Sequence, residues 1–137
     1  MERSIVIFIA LLGAFMFANG IFMLVAPEAW FSVVPGVTRT GFFNQHFVRD
    51  IGMTYLMVGS GFIFGGWVVD RRVELWGIAA LWLSGHAIFH LVEVATGICS
   101  PSYLLVDFPA VTLPALIGVA ATLWAAAHRK SALAASR

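Results

Sequence analysis

His46, Arg49, Asp50, His86, His90, Glu93 and Asp107 are ionisable residues set inside long apolar stretches, and Asn19 is a polar one. Such residues are costly inside a membrane-spanning segment and are functional candidates by default. His86 and His90 stand at i, i+4, the helical spacing that lets two imidazoles meet one metal ion, and Glu93 follows three residues later. His46 and Asp50 repeat the i, i+4 spacing upstream. Imidazole suits zinc, copper, iron and nickel, and carboxylates can complete the shell. His46, Asp50, His86, His90 and Glu93 therefore read as ligands of a transition metal ion. Arg49, Asp107 and Asn19 would stand behind them, orienting ligands and balancing charge. A bis-histidine haem is an equal use of His46 with His86 or His90, and Arg49 would then meet a propionate. Two alternatives need no cofactor. One is a hydrogen-bonded network that only fixes helix packing, with Arg49 bridging Asp50, Glu93 or Asp107. The other is a path for a proton or a small molecule.

The elements that position these residues are legible from hydropathy. Of 137 residues, 61% are hydrophobic and 11% are charged. Mean hydropathy is +0.93. Soluble domains carry ~25% charged residues, so this composition belongs to a membrane protein and excludes disorder. A span needs about 20 mainly apolar residues. Four runs qualify, at about 4–26, 44–69, 73–98 and 103–127. No run alternates with period two, which argues against a barrel. The expected fold is all-α, a single four-helix membrane bundle. The N-terminal run is too long for a signal-peptide core and reads as a retained helix. The first loop, Pro27 to Phe43, sets aromatic residues beside prolines, as in a segment lying at the outer interface. The tail from Ser131 to Arg137 is expected to fray.

Basic residues fix the orientation. Arg3, Arg71, Arg72, Arg129, Lys130 and Arg137 fall at one end, against Arg39 and Arg49 at the other. Both termini are expected in the cytoplasm, with the first and third loops outside and the bacterial inner membrane as the location. On helical geometry, His46, Asp50, Met53 and Met57 form one stripe within about 60°, and His86, His90 and Glu93 another, so each is expected to face the bundle interior. At 1.5 Å per residue, Asp50, His90, Glu93, Asp107 and Asn19 all lie roughly 6–12 Å below the outer end of their helices. The polar groups thus share the outer half of the membrane.

Several function classes are excluded or weakened. Net charge is +1, so no bulk basic field points to nucleic acid. The single cysteine, Cys99, rules out an internal disulfide and any Cys-based metal cluster within one chain. Met16, Met23, Met53 and Met57 could act as copper(I) ligands, but methionine more commonly fills core gaps. Gly61-x-x-x-Gly65 is a small-residue face for close helix contact, within the chain or between subunits. Pro109 and Pro114 can kink the last helix near Asp107.

Asn44-Gln45-His46-Phe47-Val48-Arg49-Asp50-Ile51-Gly52 with Tyr55-Leu56, and Trp82-x-x-x-His86-x-x-x-His90, together form a recognisable pattern. In four spans of this size they resemble small, loosely DoxX-like bacterial membrane proteins. The resemblance implies a bacterial cell membrane and a four-helix bundle, and it supplies no reaction. An enzyme built on this site would be an oxidoreductase. Besides lipid, the expected partners are further copies of the chain or a larger membrane complex, in which the protein would serve as an accessory subunit.

Overall fold

The computed structural model describes residues 2–39 and 41–135, the side chains of 130–135 excepted. Among these residues the regular structure is all helical, with no strand. Helix α1 spans Glu2–Val25, α2 Pro27–Val33, α3 Gln45–Trp67 and α4 Arg72–Ala95. Helix α5, Tyr103–Asp107, runs through a π-helical turn at Phe108–Thr112 into α6, Leu113–Ala135. Among the described residues three stretches are long and apolar enough to cross a membrane: Glu2–Val25, Val69–Ala95 and Tyr103–Arg129. Helix α3 has the length but opens on Gln45, His46, Arg49 and Asp50 and is rich in glycine, which lowers its hydropathy.

Local chemistry explains the boundaries. Pro27 starts α2 at a first-turn position, where its missing N–H costs nothing. The first loop is thus partly helical. Asn44 caps α3 by accepting from the Phe47 N–H at 3.1 Å. Gly97, at φ 77°, closes α4 short of the expected Ile98. There the Ile98 N–H donates to Glu93 O and the Gly97 N–H to Val94 O, the two bonds of a Schellman motif. At the other end, α6 continues to Ala135, through most of the tail expected to fray. Arg137 lies outside the described residues.

Helices α1 and α3 pack through glycine. A Cβ on Gly59 would lie 2.6 Å from Gly13 O, and one on Gly20 would lie 2.7 Å from Gly52 O. Each helix repeats its glycine after seven residues, and the two pairs oppose each other antiparallel. Backbones can approach this closely only where side chains are absent. Met16 and Met23 are buried in α1 beside the seam. Gly61 and Gly65 instead face α4, against Leu75 and Trp76. Their small-residue face is therefore an intramolecular contact.

The other half of the core is built on α4 and α6. Ala79, Ala80, Leu83 and Ala87 meet Val111, Ala115, Ala121 and Ala125, with Phe62 and Trp76 fully buried between the halves. At the end holding the N-terminus, Arg72 is buried. Its guanidinium donates to Gly65 O at 2.9 Å, Gly66 O at 3.2 Å and Glu2 Oε1 at 3.3 Å, and it lies over the Trp76 ring. It satisfies carbonyls that the end of α3 leaves without helical partners. Arg129 pairs with Glu74 at 2.7 Å at the same end.

Candidate functional site

The polar residues divide into three groups. The first is His90 on α4 and Asp107 at the end of α5. His90 Nδ1 lies 2.8 Å from Asp107 Oδ2, with the two side chains 22% and 16% exposed. Where Asp107 accepts this bond, Nδ1 donates the hydrogen, and a neutral His90 then presents Nε2 as an acceptor. His86, one turn below, packs edge-on against His90 at 4.7 Å between ring centroids. Its other face stacks on Trp82 at 5.1 Å, and Trp82 in turn meets Tyr55 of α3 at 5.5 Å. Among the described residues the His86 ring makes no hydrogen bond, and its nitrogens are not sealed from the surface.

The π turn explains Asp107's place. Pro109 has no N–H to continue the α-helical ladder, and the turn widens so that Leu113 N–H donates to Phe108 O. Asp107 is the last residue before that widening, on the side that meets α4. π turns of this kind recur at functional sites. The loop after α2 passes over the same carboxylate. Gly36 sits there at φ 88°, and a Cβ on it would lie 3.2 Å from Val106 and 3.9 Å from Asp107 Oδ1.

The second group is His46 and Asp50. They pair with each other at 3.2 Å on an open surface, 89% and 49% exposed. Met53 and Met57 are likewise exposed. The expectation that this stripe faces the interior is therefore corrected. The buried face of α3 is Val48, Gly52, Gly59 and Phe62. At 100° per residue Gly52 and Gly59 lie roughly 240° and 220° round from His46, and their close approach to α1 turns the His46 stripe outward.

The third group consists of residues occupied elsewhere. Arg49 Nε donates to Leu24 O at 3.1 Å, serving the end of α1 rather than a carboxylate. Asn19 accepts from Trp30 Nε1 at 2.8 Å and so ties α2 down onto α1. Glu93 is half-buried, and its carbonyl takes the N–H groups of Ile98 and Cys99. Cys99, in the loop beyond α4, has its thiol pushed above the ordinary value, first by desolvation and then by the Glu93 and Asp107 carboxylates.

No three His, Cys, Asp or Glu side chains among the described residues come together as a metal-holding group. The expected five-ligand pocket is thus not assembled. His86 and His90 are brought together, with Asp107 bonded to His90, while His46 and Asp50 form their own pair. The sequence reading gave no site role to Trp82, Tyr55 or Gly36. Trp82 was within reach of it, since Trp82, His86 and His90 recur at i, i+4 and i+8 on one helical face. The Gly36 contact has no local signal, because it joins segments 70 residues apart. No family model matches this chain, and no curated protein or solved structure is detectably similar to it.

Proposed function

We propose that this is a multi-pass protein of the bacterial inner membrane, with four spans and both termini in the cytoplasm. In this reading it carries a small-molecule binding site at His86 and His90, in the outer half of the bilayer. The observation that carries the reading is the His90–Asp107 bond beside a His86 that makes no hydrogen bond among the described residues. Asp107 fixes one imidazole with its Nε2 lone pair available, and His86 adds a donor and an acceptor. Two helices that only needed to pack would use apolar residues, as α4 and α6 do lower down through Ala79, Ala115 and Ala121. The α3 span and the orientation rest on the basic residues gathered at the Arg72 and Arg129 end. The likeness to DoxX-like proteins belongs to the same reading and adds no reaction to it.

A transition metal ion, or haem, is the second reading, and the same bond favours it. A carboxylate on Nδ1 is the usual support of a metal-bound imidazole. His86 and His90 would hold the metal, and the rest of the shell would come from exogenous ligands or from another copy of the chain. A redox role belongs to this second reading. Service as an accessory subunit is compatible with either.

Nitrogen-15 spectra of histidine-labelled protein in lipid nanodiscs test the site, and elemental analysis of the same sample separates the two readings. The expected result is one Nδ1–H tautomer for His90 that gives way to a mixture in Asp107→Asn, with no stoichiometric metal. Stoichiometric metal lost in both His86→Ala and His90→Ala would replace the first reading by the second. A His90 signal indifferent to Asp107→Asn would remove the site altogether. A reporter fused after Ala135 is expected to be active only when it functions in the cytoplasm.

A further inference from the structure

Helices α3 and α4 diverge on the side away from α1, leaving a cleft of about 460 Å³. Its walls are Thr54, Met57, Gly61 and Phe64 from α3, and Ile78 and Trp82 from α4. Small-molecule sites commonly measure ~300–1,000 Å³, so the cleft is of binding size. Met57 and Ile78 are 67% and 70% exposed, so it opens sideways, towards lipid in the proposed orientation. Its lining is almost wholly apolar, but its outer end is not. Trp82, the last wall residue on α4, stacks on His86. Nothing obstructs the surface just above, where a Cβ on Gly85 would meet no atom within 4 Å. On α3 the same helical face runs up through Asp50 and His46. The outward stripe of α3 and the histidine stripe of α4 therefore rise beside one cleft, apolar below and hydrogen-bonding at the top.

We propose that this cleft binds a single-chain amphiphile drawn from the bilayer, its hydrocarbon tail between Met57 and Ile78 and an uncharged hydroxyl head at His86. The proposal rests on the small-molecule reading of the histidine site and names its ligand class. The head must be neutral, because the Asp107 carboxylate lies beside the histidine pair at 2.8 Å from His90 and disfavours an anion. A hydroxyl both donates and accepts, as a neutral imidazole does. Among the described residues His86 makes no hydrogen bond and has that capacity unused, whereas His90 is already held by Asp107. His86 lies ~13 Å below the outer end of α4, below the depth of a phospholipid headgroup but within reach of a membrane-dissolved alcohol.

The test uses the full chain in phosphatidylcholine nanodiscs and an octadecanol carrying a diazirine in mid-chain. Photolabelling is expected on the peptides holding Met57 and Ile78, saturable and displaced by octadecanol but not by octadecane. His86→Phe keeps a ring on Trp82 and removes both nitrogens. It is expected to raise the octadecanol needed for half-displacement about tenfold while leaving the labelled residues unchanged. Met57→Trp, which adds bulk on an exposed wall, is expected to abolish saturable labelling. Labelling that never saturates, that octadecane displaces equally, or that His86→Phe leaves unchanged would overturn the proposal. The His90 nitrogen-15 signal, recorded on the same sample without probe, reports separately on the histidine site. A fixed tautomer with no saturable labelling discards the amphiphile alone, whereas a His90 signal unmoved by Asp107→Asn discards the site beneath it.

Discussion

Helices α1 and α3 meet through glycine, whereas α4 and α5 meet at their outer ends through His90 and Asp107. The first contact is backbone against backbone, and almost any added atom collides. The second is a single hydrogen bond between side chains that stay partly exposed. Lipid tails are as apolar as leucine, so helices in a membrane gain little from the hydrophobic effect and depend on close packing. The glycine seam supplies such packing. The His90–Asp107 contact adds little of it and, in the proposed topology, places two titratable groups at membrane depth. The difference separates what holds the bundle from what the bundle holds.

The largest expected effect comes from breaking the seam. Gly59→Leu sets a side chain against Gly13 O and the Phe17 backbone, where nothing flexible can yield. A loss of about 3 kcal/mol or more is expected, at the upper end of overpacking costs. Thermal unfolding followed by tryptophan fluorescence in detergent reads it. Arg72→Ala comes next, because it strips the buried partner from Glu2 and from two helix-end carbonyls. About 1–3 kcal/mol should be lost on the same assay. Asp107→Asn is expected to cost only about 1 kcal/mol, in line with interhelical hydrogen bonds in membranes. His46→Ala, on an open surface, should move stability by less than about 0.5 kcal/mol. If His46→Ala rivals Arg72→Ala, the His46–Asp50 pair is structural and the comparison is redrawn.

The same contrast explains what the sequence disclosed. The helical class and three of the four apolar runs followed from hydropathy and length. The i, i+4 spacing put His86 and His90 side by side, as the structure has them. The orientation of α3 was not legible from its polar stripe. That stripe and the stripe of Gly52 and Gly59 compete for the interior, and the choice depends on Gly13 and Gly20, more than 30 residues away. Much of the Asn44-to-Gly52 segment turns out to serve the fold. Asn44 caps α3, Arg49 serves the end of α1, and Gly52 belongs to the seam. Ionisable residues near helix ends read as site candidates from sequence because free helix-end carbonyls have no sequence signature. Asp107 was placed behind the ligands, and the structure bonds it to His90. Its geometry depends on the π turn at Phe108–Thr112, which Pro109 hints at without specifying.

A double-mutant cycle on unfolding free energy, joining His90→Gln to Asp107→Asn, tests most directly whether the polar contact holds the bundle or is held by it. The account predicts a coupling of about 1 kcal/mol or less, with the double variant still folding cooperatively. A coupling above about 3 kcal/mol, equal to the loss from Gly59→Leu, would show that His90 and Asp107 are there for packing and would contradict it.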